Sequence, residues 1–70
     1  RTNDTLITAK VKTELIRNKA VEASNIKVVT ERGVVYLLGI VTPEQGDIAV
    51  SLAKQVGGVE RIVKIFMAPA

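Results

Sequence analysis

The carboxylates are the side chains best suited to acid–base chemistry in this 70-residue sequence, because it contains neither histidine nor cysteine. A hydrolase needs two carboxyl groups that converge in one cleft and ionise at different pH. Here they are scattered over predicted helix starts, turns and polar positions, at Asp4, Glu14, Glu22, Glu31, Glu44, Asp47 and Glu60. Without His or Cys the chain also lacks the commonest general base and metal ligands. The sequence therefore predicts no catalytic site, no metal site and no cofactor.

A second set of candidate residues lies near the N-terminus, and three of its five members are basic. Leu6, Lys10, Thr13 and Arg17 share one flank of a predicted helix at the spacing i, i+4, i+7, i+11, and Lys19 follows the helix. Such a surface would hold anionic phospholipid, since each cation near an anionic membrane contributes ~1 kcal/mol. The alternative is an ordinary solvated helix face. The net charge of +3 permits an anionic partner, while a single Tyr and a single Phe disfavour nucleic-acid binding.

Four glycines indicate backbone geometry rather than ligand binding. Gly33 is predicted to supply the positive φ of a short hairpin loop. Gly39 lies within a strand, which we interpret as close packing of a helix over that position. Gly57 and Gly58 follow a helix and precede a strand, the reverse of a phosphate-binding loop, so Gly58 is assigned to ending the helix.

The elements that position these residues follow from the hydrophobic periodicity. We predict a helix over 4–18, strands over 26–30 and 33–41, a helix over 43–56 and a strand over 59–67. Thr42 and Pro43 suit the start of the second helix, and Asn3 or Asp4 the start of the first. Because a strand–helix–strand crossover gives a parallel pair, the sheet should be mixed. The expected fold is α+β, a two-layer αββαβ sandwich with both helices on one face of a three-stranded sheet.

The central strand, 33–41, is apolar on both faces. One face is expected to be covered by apolar residues of the two helices, namely Ile7, Val11, Leu15, Ile48, Leu52 and Val56. The other face carries Tyr36, Leu38 and Ile40, and both helices are already used. Exposed apolar patches mark interaction surfaces, so this face predicts contact with a neighbouring domain, a partner protein or another copy. Coverage by a terminal segment is the alternative.

The order and spacing of these residues are similar to those of a known family. The matching residues are Asp4, Ile7, Val11 and Leu15, then Ile26 and Val28, then Gly33, Val35, Leu37, Gly39 and Val41, then Ala49, Ala53, Gly58, Val59 and Ile62. The chain resembles the BON domain, and specifically the second BON domain of dual-BON outer-membrane lipoproteins of Gram-negative bacteria. The resemblance covers nearly the whole of residues 1–70.

This resemblance implies a non-catalytic domain of a cell-envelope lipoprotein. It implies a location in the periplasm, on the inner leaflet of the outer membrane, and binding of anionic phospholipid through the first helix in support of membrane integrity. That helix has no aromatic anchor here, so Leu6 would take part of that role. A protein-interaction module that uses the open sheet face without binding lipid is the alternative. Because the chain begins at Arg1, we expect a fragment of a longer, lipidated protein, with a neighbouring BON domain or envelope protein as partner.

Overall fold

The computed structural model describes residues 3–70, so residues 1 and 2 of the single domain expected over 1–70 lie outside the described part. Its elements are α1 (Asp4–Arg17), a 3-10 turn (Ala23–Asn25), β1 (Ile26–Glu31), β2 (Val34–Ile40), α2 (Pro43–Lys54) and β3 (Arg61–Met67). The predicted α+β class and the αββαβ order are confirmed. β3 begins two residues later than predicted, because residues 55–60 form the loop that leaves α2.

The sheet has the strand order β1-β2-β3 and is mixed, as predicted. β1 pairs antiparallel with β2, and β3 pairs parallel with β2, with Val28 opposite Leu37 and Leu37 opposite Lys64. Both helices pack on the face that carries Val35 and Leu37, and these two side chains are completely buried. α1 contacts β1, α2 contacts β3, and the two helices contact each other above the central strand.

Helix α1 is fixed at its start by two short side chains. Asn3 is the N-cap, and its Oδ1 accepts a hydrogen bond from the Leu6 amide at 3.1 Å. The carboxylate of Asp4 accepts hydrogen bonds from the amides of Arg32 at 2.8 Å and Gly33 at 3.0 Å. Asp4 therefore joins the first turn of α1 to the β1–β2 hairpin. The predicted buried stripe of α1 is confirmed, at Ile7, Val11 and Leu15.

Helix α2 begins where predicted, with Thr42 as its N-cap in a capping box with Gln45. The Thr42 hydroxyl accepts from the Gln45 amide at 3.2 Å, and the Gln45 side chain accepts from the Thr42 amide at 3.2 Å. The buried residues of α2 are the small ones, Gly46, Ala49 and Ala53. The predicted covering residues Ile48 and Leu52 do pack against the core, but they are only partly buried, beside that small-residue face. Small side chains let the helix lie closer to the sheet than a row of large ones would.

The position of Gly33 in the hairpin turn was predicted correctly. Gly39 was also predicted to lie at a close contact, but its close neighbour is not the one expected. Arg32 and Gly33, with φ of 51° and 82°, form the two-residue turn between β1 and β2. A Cβ at Gly39 would overlap the carbonyl oxygen of Asn25 and lie 3.2 Å from the Ile26 Cα. The close neighbour of Gly39 is therefore the backbone entering β1, not a helix. α2 ends at Lys54 with Gln55 as its C-cap, so Gly58, with φ of 96°, lies further along the loop and does not end the helix as expected.

Candidate functional site

The solvent face of α1 carries an apolar stripe. Leu6, Ala9, Thr13 and Ile16 follow one another at spacings of three and four residues, opposite the buried stripe. The Leu6 side chain is 54% exposed and that of Ile16 is 72% exposed. Among the large hydrophobic residues of the described chain, Ile16 is the most exposed. An exposed Leu and Ile at the two ends of one helix face form a surface that can enter an apolar phase.

Three cations border this stripe, and the structure places them on both of its sides. Helical geometry puts Lys12 on one side, and Lys10 and Arg17 on the other. Arg17 Nη1 lies 3.5 Å from the Glu14 carboxylate, in a pair that is largely exposed on the Arg17 side. Exposed pairs of this kind contribute little, so the guanidinium stays available to another anion. Within residues 3–70, neither Lys10 nor Lys12 forms an ion pair.

The remaining residues predicted for this surface lie at its centre and at its end. The Thr13 hydroxyl donates to the Ala9 carbonyl at 2.9 Å, so its proton is already used within the helix. Lys19 is exposed in the turn after α1, beside a shallow depression bordered by Arg17, Asn18 and Leu52. The structure thus brings Leu6, Lys10, Thr13 and Arg17 onto one face, with Lys19 near its C-terminal end.

Ile16 and Lys12 belong to the same surface and were not assigned from the sequence. The signal for Ile16 was present in the spacing from Leu6 through Ala9 and Thr13. Helical spacing places Ile16 towards the far side of the helix from the buried stripe, but the predicted lipid-binding set did not include it. Here the neighbouring Leu15 fills the core position, which turns Ile16 outward to solvent.

The second candidate surface is the face of the sheet opposite the helices. Tyr36 and Leu38 are partly buried by their neighbouring strands, and Ile40 is 56% exposed. The register extends this face onto both flanking strands, where its apolar members are Val29, Val63, Ile65 and Met67. Ile65 and Met67 are more than half exposed, so no described element covers this end of the face. We name Val29, Val34, Tyr36, Leu38, Ile40, Val63, Ile65 and Met67 the outer sheet face.

Two further classes of site concern metal ions and the interior of a bilayer. In residues 3–70 there is no group of three or more His, Cys, Asp or Glu side chains placed to hold a metal ion. No helix of that part of the chain has the length and apolar character needed to cross a bilayer. Three of the carboxylates have structural partners: Asp4 in the hairpin contact, Glu14 with Arg17, and Asp47 with Lys64 at 3.6 Å.

Comparison with known proteins places these surfaces in a family context. Residues 3–66 match the family model of the BON domain. The chain is 40% identical over 62 residues to the 21 kDa hemolysin of Actinobacillus pleuropneumoniae, covering 89% of this chain and 32% of that protein. It is 36% identical over 63 residues to the outer membrane lipoprotein DolP of Haemophilus influenzae, covering 90% of this chain and 33% of that protein. The chain therefore spans about a third of the length of these relatives.

Proposed function

Because this chain belongs to the BON domain family, we propose that it is a non-catalytic module of the bacterial envelope that binds anionic phospholipid through helix α1. We further propose that the protein containing it lies in the periplasm, at the inner leaflet of the outer membrane, and supports membrane integrity. Similarity to a protein named as an outer membrane lipoprotein supports this location. No nucleic acid, metal or cofactor is part of the proposal.

The observation that carries the proposal is the composition of the solvent face of α1. Leu6 and Ile16 lie among Lys10, Lys12 and Arg17, as in helices that lie in the membrane interface. Three cations near an anionic surface contribute about 3 kcal/mol. Partial insertion of two aliphatic side chains adds roughly 2–3 kcal/mol, since full burial of each contributes about 1.5–3 kcal/mol. The sum of about 5–6 kcal/mol corresponds to an apparent Kd on the order of 0.1 mM, a weak and salt-sensitive attachment.

Vesicle titration followed by amide NMR tests this function. With phosphatidylglycerol vesicles, we expect shifts and broadening confined to α1 and the turn at Lys19, and none with phosphatidylcholine vesicles. The double substitution Lys10→Gln and Arg17→Gln should abolish the salt-sensitive binding. Leu6→Gln and Ile16→Gln should instead remove the part of the binding that persists at high salt, because those side chains contribute by insertion and not by charge.

A matched control removes the same charge from another surface. Lys54→Gln and Lys64→Gln lower the net charge by two at α2 and β3 and leave every side chain of α1 in place. This double variant should bind phosphatidylglycerol vesicles nearly as the unaltered chain does. If it loses binding to the same extent as the α1 double variant, attraction is set by net charge alone and α1 is not a specific lipid surface.

The exposed outer sheet face favours a second candidate function, a protein-interaction module without lipid binding. Its support is the exposure of Ile40, Ile65 and Met67 and the absence of an aromatic anchor on α1. This candidate predicts no shifts in α1 with either kind of vesicle. It also predicts concentration-dependent broadening at Tyr36, Leu38 and Ile40. Shifts in α1 together with sharp, concentration-independent signals from the outer sheet face would contradict it.

A further inference from the structure

A groove lies along the outward side of the edge strand β3. It has a volume of about 510 Å³ and is lined by Val50 and Lys54 of α2 and by residues 59–62 and Lys64. No residue of β2 lines it, and Ile62 and Lys64 lie on the helix-packed face of β3, so the groove lies at the sheet edge where α2 passes β3. Because α1 contacts β1 at the other edge, this groove stays accessible when α1 faces a membrane.

The strand beside the groove offers free backbone hydrogen-bonding groups. In the described residues, β3 forms a ladder with β2 alone. An edge strand presents alternate N–H and C=O groups outward, which makes it a template for one more strand. Edges are often protected by charged side chains, proline, a bulge or a covering element. Residues 61–67 contain no proline, and their two charged side chains, Arg61 and Lys64, are both cationic, which disfavours a basic strand but not an acidic one. The backbone of β3 is therefore suited to pairing with an extended segment.

The side chains of the groove define what that segment would carry. Val50, Val59 and Ile62 provide apolar contact, and Lys54, Arg61 and Lys64 provide three cations. Glu60 adds one carboxylate to the lining, and its amide is bound to the Gly33 carbonyl at 2.8 Å. Lys64 is paired only loosely with Asp47, at 3.6 Å between exposed side chains. A strand added beside β3 would face Lys54 and Lys64 on the helix side and Val63 and Ile65 on the outer side, so the edge favours a segment in which acidic and apolar residues alternate.

From this geometry we propose that the groove between α2 and β3 binds an extended, acidic peptide segment of a partner protein, which adds to the sheet as a fourth strand. Main-chain hydrogen bonds to β3 provide most of the affinity, and side chains of alternating type provide selectivity. A second copy of this chain fits poorly. Two β3 strands paired about a two-fold axis in full overlap would place Lys64 opposite Lys64, and like charges directly opposite one another repel.

Amide NMR of the 70-residue chain with a synthetic peptide tests the proposal. The probe is a capped hexapeptide of alternating Glu and Val, and two controls have the same length. One control replaces each Glu by Lys, and the other methylates alternate backbone nitrogens so that the strand cannot donate hydrogen bonds. We expect shifts in residues 61–67 and at Lys54, with slowed hydrogen exchange of the outward β3 amides, for the first peptide only.

Charge substitutions provide the second arm. Lys54→Gln with Lys64→Gln should weaken binding of the acidic peptide roughly three- to tenfold, as expected for the loss of two exposed ion pairs. Lys27→Gln removes a lysine from the other edge strand, β1, and should leave the affinity unchanged. Affinity that falls equally in both variants would refute a specific groove.

Three other outcomes would overturn the proposal. Equal shifts with the methylated peptide would mean electrostatic adhesion without strand addition. Shifts of β3 that grow with protein concentration alone would assign the edge to a second copy. Broadening of groove residues by phosphatidylglycerol vesicles, with no response to the peptide, would assign it to lipid. The proposal does not depend on lipid binding by α1, and the two are tested by different residues.

Discussion

Replacement of Gly39 by alanine is the sharpest test of how the sheet is built. A Cβ at this position would overlap the Asn25 carbonyl oxygen and lie 3.0 Å from the Asn25 carbonyl carbon. Both neighbours are backbone atoms, so no flexible side chain can move aside. The β1–β2 ladder ends at the pair Ile26↔Gly39, and the clash would force those strands apart there.

The expected cost follows from that geometry. Overpacking against rigid neighbours costs about 1–3 kcal/mol, and loss of one ladder hydrogen bond adds about 1 kcal/mol. A loss of about 3 kcal/mol should lower Tm by roughly 12–24 °C in a domain of this size. The whole free energy of unfolding is expected to be about 4–10 kcal/mol, so the effect is a large part of it.

Thermal and urea unfolding, followed by circular dichroism, give the measurement. Gly57→Ala is the matched control, because a Cβ there has no neighbouring heavy atom within 4 Å. That control should be neutral or stabilise by up to about 1 kcal/mol. Gly39→Val should lose little more than Gly39→Ala, since the clash is already complete at Cβ. A Gly39→Ala variant that melts with the Gly57→Ala control would refute the reasoning. A much larger loss for valine alone would restore the helix as the close neighbour.

Three further substitutions test other contacts. Asp4→Ala removes the acceptor for two hairpin amides and should cost about 2 kcal/mol in urea unfolding, given that hydrogen bonds to charged groups contribute about 1.5–3 kcal/mol. A cost below the error of the assay would mean that the contact does not hold the helix to the hairpin. Thr42→Ala breaks the capping box of α2 and should cost about 1 kcal/mol, measured in the same way, with Thr42→Ser expected to retain most of the stability. Leu15→Ala opens a cavity at a side chain that is 1% exposed and should cost about 2–5 kcal/mol by thermal unfolding. A smaller effect than that of Thr42→Ala would contradict the assignment of Leu15 to the core.

The fold was predictable because its signals are local or periodic. The stripe at Ile7, Val11 and Leu15, the alternation in β1 and the cap at Thr42 each act within a few residues. The contacts that were not predicted join distant parts of the chain. The sequence does not indicate that Asp4 contacts the hairpin turn or that Asn25 lies close to Gly39. Both contacts depend on how the folded helices and strands pack against one another.

The candidate surfaces were predictable to different degrees. The outer sheet face followed from counting apolar positions against the helices available to cover them, and the structure shows Ile40 exposed there. The α1 surface was predicted without Ile16, because the prediction followed the flank from Leu6 to Arg17, although helical spacing already places Ile16 on the solvent side. The groove beside β3 was not predicted. It exists only where the end of α2 passes the start of β3, a juxtaposition of residues about ten positions apart.

The central position of β2 has a consequence for the synthesis of the protein. Residues 34–40 are uncharged, contain no proline and are rich in residues that favour strands, which is the composition of aggregation-prone segments. In the folded chain, β1 and β3 cover both edges of this segment. On the ribosome, β1 precedes β2, whereas β3 is made more than twenty residues later. Until β3 is synthesised, one edge of β2 has no partner strand. The nascent chain therefore exposes an aggregation-prone segment that chaperones would have to bind.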